Sequence, residues 1–297
     1  MRGGEAIIES LKNMGVKTIF GYPGGQTIPF YDMLYDADMD HILVRHEQCA
    51  AHAADGYARA SGRVGVCLAT SGPGATNLVT GIGTAYMDSS PIIAITGQVP
   101  TVMIGRDAFQ EVDITGIAMP ITKHNFLVKD PAHLAQTLRL AFQMAKTGRP
   151  GPVLVDVPRD VQTALIDYEA GVLPPVVEDE PTENEIAACV EALAKAERPV
   201  MLIGGGVISA DAEYDAMHLC EKLHIPVVST LMGLGAISAY RKLFLGMTGL
   251  HGHERANNAV KEADLILAVG TRFNDRVTGE RKTYNENKVI IHLDIDP

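Results

Sequence analysis

The 297-residue sequence predicts an α/β protein of two doubly wound parallel-sheet domains. Three observations predict it. Short apolar runs alternate with longer stretches of helical period along the whole chain. Several of these runs are apolar on both faces, as strands of a sheet covered on both sides must be. A proline-rich, acidic stretch without period interrupts the alternation once, near the middle. At roughly 150 residues per domain, the length allows about two.

In the first domain, residues 1–167, strands are expected at 18–22, 41–45, 64–69, 92–96, 125–128 and 153–157. Helical patterns at 3–14, 28–37, 47–61, 75–87 and 131–147 fill the gaps, and the repeated βα order implies parallel pairing. Residues 168–182 read as a linker: GVLPPVVEDEPTE combines prolines with an acidic cluster. Thr182 and Glu185 have the spacing of a capping box, and Ile186, Val190 and Leu193 form a helical stripe. The second domain, residues 183–297, has expected strands at 200–203, 226–229, 243–245, 265–269 and 289–294, and helices at 211–223 and 253–262. The series stops directly after an apolar strand, so this domain is expected to be incomplete and the chain to be truncated or part of a longer polypeptide.

Composition excludes several classes. Hydrophobic residues make up 46% and charged residues 21%, a globular balance. The longest apolar runs fall far short of the ~20 residues of a membrane helix. Twenty-five basic against 36 acidic residues give a net charge of −11, with no basic stripe for nucleic acid. The N-terminus enters an acid-containing helical pattern, unlike a signal or transit peptide, so a cytoplasmic location is expected. Cys49, Cys67, Cys189 and Cys220 form no CxxC pair and are expected to be reduced, mostly buried thiols.

Six segments are candidates for chemistry. In RHEQCAAHAADGYARASG an apolar strand ends at Arg45 and His46, and Glu47 opens a helix, where the dipole favours a carboxylate. Glu47 is either a simple N-terminal helix acid or a site carboxylate. Ala50, Ala51, Ala54 and Ala58 leave one face open to a flat ligand or a partner helix. TSGPGATN and GYPGGQTIPF are glycine-rich strand-to-helix turns, either tight connections or backbone cradles for a ligand. The long aperiodic loop in TGQVPTVMIGRDAFQEVD follows an apolar strand, a position that usually carries function, and offers Phe109 as an apolar plate beside Gln110. In IGGGVIS the dinucleotide fingerprint G-x-G-x-x-G fails at Ser209, which argues against nicotinamide binding. VGTRFNDRVTG sets Arg272 and Arg276 just past a strand, as ligand groups or as solvated cations.

Taken in order, GYPGG, RHEQ with AADGYARASG, TSGPGATN, TGQVP, DAFQE, GRPGPVLVDVP, TLMGLGA and VGTRFNDRVTG resemble the large catalytic subunit of acetohydroxyacid (acetolactate) synthases, from Gly3 to Pro297. The resemblance implies a pyrimidine-binding domain for thiamine diphosphate, followed by an incomplete central FAD-binding domain. It implies that Glu47 hydrogen-bonds N1′ of the aminopyrimidine, so that pyruvate is decarboxylated and its two-carbon unit joined to pyruvate or 2-ketobutyrate in branched-chain amino-acid biosynthesis. Gly24 and Gly25 match a loop near the reacting carbons, Phe109 and Gln110 match residues lining the substrate across a dimer interface, and Arg159 matches a group at the channel mouth. Arg149, Gly204, Gly205, Gly206, Thr230, Leu231, Leu250, His251, Gly270, Arg272, Arg276 and Asp294 match FAD contacts. Gln26, Arg159, Leu250 and Asn274 depart from the commoner alanine, lysine, methionine and aspartate. The family holds Mg²⁺ and the diphosphate through a GDG…N motif of a third domain. No GDG occurs here, so no metal site is expected, and this chain alone is expected to be inactive. The implied partners are a second or more copies (homodimer or tetramer) and a regulatory small subunit, with neither nucleic acid nor membrane. The alternatives are another thiamine-diphosphate carboligase or 2-ketoacid decarboxylase, or a non-catalytic pyrimidine-binding subunit of a split enzyme.

Overall fold

A computed structural model describes residues 1–173, 175, 176 and 180–296. The chain divides into two compact units, Met1–Val177 and Glu178–Pro297. In the first, six strands form one sheet: β1 (Thr18–Gly21), β2 (Asp40–Leu43), β3 (Gly65–Ala69), β4 (Ile92–Gln98), β5 (His124–Leu127) and β6 (Val153–Pro158). Their order is β2-β1-β3-β4-β6-β5. Every pairing is parallel. The second unit pairs β7 (Pro199–Ile203), β8 (Val227–Ser229), β9 (Phe244–Met247), β10 (Leu265–Val269) and β11 (Val289–Leu293) in the order β11-β10-β7-β8-β9, again all parallel.

The runs that are apolar on both faces occupy the centre of the first sheet. β3, β4 and β6 are buried at every position. Alternate residues serve two cores: Val66, Leu68, Ile93, Ile95, Val153 and Val155 join one with Ile7, Leu11, Phe30 and Leu138. Cys67, Ala69, Ile92, Ala94 and Leu154 join the other with Ala50, Ala54, Leu78 and Ile82. Each fully buried Leu or Ile contributes about 1.5–3 kcal/mol relative to exposure. Asp156 falls on the face of Leu154, a carboxyl group where the pattern calls for an apolar side chain.

Several boundaries differ from expectation. The expected helix 75–87 is two helices, Pro73–Asn77 and Val79–Met87, and the first begins two residues early because proline suits the first helical position. The pattern at 131–147 opens as a 3₁₀ turn, Pro131–His133, capped by the Asp130 carboxylate, before the α-helix Leu134–Lys146. The five-residue helices Ile114–Ala118, Arg159–Thr163 and Gly205–Ser209 are too short to show a period. The capping box forms: Thr182 N–H donates to Glu185 at 2.8 Å, and Glu185 N–H donates to Thr182 Oγ1 at 3.3 Å. The stripe behind it is displaced, however. Leu193 packs on the core with Cys189, Ala192 and Ala196, whereas Ile186 and Val190 are exposed. Of the cysteines, Cys67 and Cys220 are buried, Cys189 is half-buried and Cys49 is exposed, so burial holds for fewer thiols than expected. Among the described residues no helix is long and apolar enough to cross a membrane.

Candidate functional site

In the first sheet the chain leaves β1 toward β2 on one side and continues through β3 and β4 on the other. The crevice at the carboxyl ends of β1 and β3 is therefore a topological switch point, where open α/β sheets bind ligands. Three candidate segments converge there. Glu47, 9% exposed, is the first residue of the helix Glu47–Ser61. His46 caps that helix by accepting from Gln48 N–H at 3.2 Å. Asn77 Nδ2 donates to Glu47 Oε2 at 2.8 Å, which fixes the carboxylate's orientation. Among the described residues Oε1 has no hydrogen-bond donor.

Thr70, just past β3, organises the glycines. Its Oγ1 accepts from Gln26 N–H at 3.1 Å, which draws the loop after β1 against the loop after β3. A Cβ on Gly24 would lie 2.4 Å from Thr70 Cγ2, and one on Gly74 would lie 2.7 Å from the same methyl and 3.3 Å from Glu47 Oε1. Both glycines are thus required for the loops to meet beside the carboxylate. Gly25 faces open space. The long loop after β4 joins the same group: Gly72 has φ +59°, and a Cβ there would lie 2.6 Å from the Gln110 carbonyl. Gln110 is itself left-handed (φ 58°), and Phe109 is 85% exposed, presented outward. Ser71 Oγ is buried at this junction without a partner among the described residues.

The structure gathers Glu47, Gly24, Gly25 and Gln110 at one sheet end. Arg159 is exposed at the start of the helix following β6. The next residue, Asp160, accepts from Thr101 N–H at 3.0 Å and so holds the start of the long loop. Arg149 donates to Ser89 Oγ at 2.8 Å. The alanine face of Glu47–Ser61 receives a helix of its own chain rather than a flat ligand: a Cβ on Gly81, in Val79–Met87, would lie 2.4 Å from Ala51 Cβ.

The second sheet also reverses, between β7 and β10. At their carboxyl ends backbone meets backbone. Gly206 N–H donates to the Gly270 carbonyl at 2.9 Å, and Gly270 N–H to that of Leu293 at 2.8 Å. A Cβ on Gly204 would lie 2.2 Å from the Gly270 oxygen, and one on Gly206 would lie 2.6 Å from Gly270 Cα. These glycines serve first the packing of two turns. Around them stand Thr230, whose hydroxyl caps the turn Leu231–Gly233, and Leu231, 69% exposed. Leu250 N–H donates to the Arg276 carbonyl at 2.8 Å, which brings Leu250, His251 and Arg276 together. Arg272 is half-buried just beyond β10, and Asp294 sits 3.4 Å from His292 Nε2. The hydroxyls of Ser229 and Thr271 are buried in this region without partners among the described residues.

Sequence reading missed Asn77, Thr70 and Asp156. Asn77 stands in the TSGPGATN turn 30 residues from Glu47, so only the fold makes them neighbours. Asp156 Oδ1 accepts from Thr96 Oγ1 at 2.7 Å, and Oδ2 accepts from Gln98 Nε2 at 2.9 Å. Burial pushes this carboxyl up to about 7 from an ordinary 3.8, against the two hydrogen bonds and aided by the Asp113 charge. Burial and the charge of Glu47 also raise Tyr31, whose hydroxyl meets His41 Nε2 at 3.2 Å. Among the described residues no group of three or more His, Cys, Asp and Glu is arranged to hold a metal ion.

Comparison with known proteins identifies both units. The profile of the thiamine pyrophosphate enzyme N-terminal TPP binding domain matches residues 1–117, and that of the central domain matches 186–297. A probable acetolactate synthase large subunit of Methanocaldococcus jannaschii is 56% identical over all of this chain and 51% of its own length. The acetolactate synthase large subunit of Corynebacterium glutamicum is 50% identical over all of this chain and 48% of its own length. The isozyme 2 large subunit of Escherichia coli is 50% identical over all of this chain and 54% of its own length. The chain thus spans about half the length of the curated relatives it matches. With a buried, amide-oriented glutamate at the switch point of its first sheet, the chain carries the N-terminal and central domains of the thiamine pyrophosphate enzymes, belongs to that family, and is similar to acetolactate synthase large subunits.

Proposed function

We propose that this chain supplies the pyrimidine-binding and flavin-binding parts of an acetolactate synthase. In that enzyme the two-carbon unit of pyruvate is joined to pyruvate or 2-ketobutyrate, in the cytoplasm, for branched-chain amino-acid biosynthesis. The observation that carries the reading is the Glu47–Asn77 pair: one carboxylate oxygen held by an amide at 2.8 Å, the other facing the glycine loops. Glu47 Oε1 is suited to share a proton with a pyrimidine ring nitrogen, because the helix terminus and Asn77 orient the carboxylate before any ligand arrives. Gly24 lets its loop close on Thr70, and Gly25 faces open space. When bound, thiamine diphosphate supplies the electron sink for decarboxylation. Gln110 and Phe109 border the substrate, and Arg159 guards its entry.

The carboxyl ends of β7, β8 and β10 fit a flavin. Exposed Leu231 and Leu250 offer apolar shelves, Arg276 is a cation for phosphate, and the unpartnered Ser229 and Thr271 hydroxyls are available at the sheet end. Arg149, Arg272 and Asp294 complete the set implied by resemblance. By the same resemblance, Mg²⁺ and the diphosphate would be held by a third domain of the enzyme. Assembly with further copies and with a small subunit follows from the same reading.

The test is Glu47→Gln in the full-length enzyme. Acetolactate formation is expected to fall about 10²–10⁴-fold, since a neutral amide cannot take the proton, with an unchanged circular dichroism spectrum. A variant retaining more than about a tenth of the parent rate would refute the assignment.

A further inference from the structure

We propose that Asp156 and Gln98 are positioning residues for the substrate-bordering loop, acting from inside the sheet through a chain of three side chains. Thr96, Gln98 and Asp156 are 0%, 4% and 1% exposed, so none of them touches a ligand directly. Their hydrogen bonds nevertheless lead outward. Asp156 Oδ2 accepts from Gln98 Nε2 at 2.9 Å, and the same nitrogen donates at 3.0 Å to the carbonyl of Val112. Gln98 Oε1 accepts from Val99 N–H at 2.9 Å, which fixes which way the amide faces. Val112 is two residues beyond Gln110 and immediately precedes Asp113, the cap of the helix Ile114–Ala118. The far end of the loop is thereby tied to β4 and β6.

The near end is held separately by Asp160, through Thr101. The middle is held by the Glu111 carboxylate, which accepts from the Ala108 and Gly105 amides. Between these ties the loop meets Gly72 through the Gln110 carbonyl and holds Phe109 outward. A buried carboxyl in the strand VLVDVP has no role in sheet packing that valine would not fill. Its two acceptors are matched instead to Thr96 and Gln98, and Asp156, together with the Val99 N–H, holds the Gln98 amide in the orientation that reaches the loop. Asparagine meets the same demand: its oxygen accepts from Gln98 Nε2, and its amide donates to the Thr96 hydroxyl, which then acts as acceptor.

The proposal rests on the functional reading above only for the kinetic part of its test. In the intact enzyme, hydrogen exchange of the segment 99–113 is measured for the parent, Asp156→Ala, Gln98→Met and Asp156→Asn. Loss of one to two hydrogen bonds predicts roughly tenfold faster exchange there in Asp156→Ala and Gln98→Met, with the helix Glu47–Ser61 unchanged and with Asp156→Asn close to the parent. The same two variants are expected to raise KM for the ketoacid several-fold more than they lower kcat, and Asp156→Asn to restore it. Gln98→Met keeps the test available should Asp156→Ala fail to fold. Exchange in 99–113 equal to the parent in a folded variant overturns the proposal, as does faster exchange that Asp156→Asn fails to reverse. A parent enzyme that forms no acetolactate refutes the functional reading instead, and the exchange result alone then decides the role of Asp156 in holding the loop.

Discussion

Replacing Asp156 by asparagine should make the protein less sensitive to rising pH, by an amount that follows from its burial. The side chain is 1% exposed, and Asp113, whose own carboxyl is held below its usual range by the Gly116 amide and the Thr115 hydroxyl, contributes a like charge. The carboxyl of Asp156 is pushed from 3.8 to about 7, so the folded state keeps its proton over a range in which the unfolded chain has lost it. Stability therefore falls as pH rises between those two values and is level on either side. At about 1.4 kcal/mol per pH unit, the fall attributable to this one group is on the order of 4–5 kcal/mol. Asparagine carries no such proton and keeps both hydrogen bonds. Urea unfolding of the first unit, compared between Asp156→Asn and parent, should show near-parity at about pH 4 and a growing advantage for the variant, flattening near about pH 8. Subtraction removes every other titrating group. A difference that stays constant with pH would show that Asp156 is ionised in the native state, held by partners stronger than Thr96 and Gln98.

Arg159→Ala should raise the apparent KM for ketoacid in the full-length enzyme while moving the melting temperature little. The side chain is exposed at the first position of a short helix, and a large fall in melting temperature with unchanged kinetics would make it a structural group. Thr182→Ala should cost about 1 kcal/mol in the second unit by removing one half of the capping box. Urea unfolding of that unit measures it, and an unchanged midpoint would show that the cap contributes nothing to this helix.

The sheet was legible because its central strands satisfy two cores at once. Ile92–Ile95 must be apolar at consecutive positions, and no helix of that composition fits between two turn signals. The register of Glu47 was legible too, since the strand end and helix start flank it directly. What surrounds Glu47 was not. Asn77 and Thr70 become its neighbours only when β3 settles beside β1, and nothing local marks an asparagine as a partner 30 residues away. Asp156 was hidden for a related reason: within VLVDVP it reads as a break in an apolar run, and its meaning lies in Thr96 and Gln98, some 60 residues earlier. The split at Leu78 was illegible because both halves keep helical period. Ile186 and Val190 misled because a periodic stripe states that a helix has an apolar side, not which elements are present to cover it.

The strand order of the first sheet also constrains the sequence of events during synthesis. β5 emerges before β6, yet among the described strands it pairs with β6 alone, which inserts between β5 and β4. Until Val153–Pro158 leaves the ribosome, His124–Leu127 has no partner among the described strands, and β4 presents an open edge that is apolar from Ile92 to Ile95. The intervening stretch of some two dozen residues takes on the order of 1–5 s at typical elongation rates. For that interval the nascent chain displays a sticky template that chaperones or a neighbouring nascent chain can engage. Synonymous codons that slow translation between 127 and 153 would lengthen the exposure without changing one atom of the finished protein.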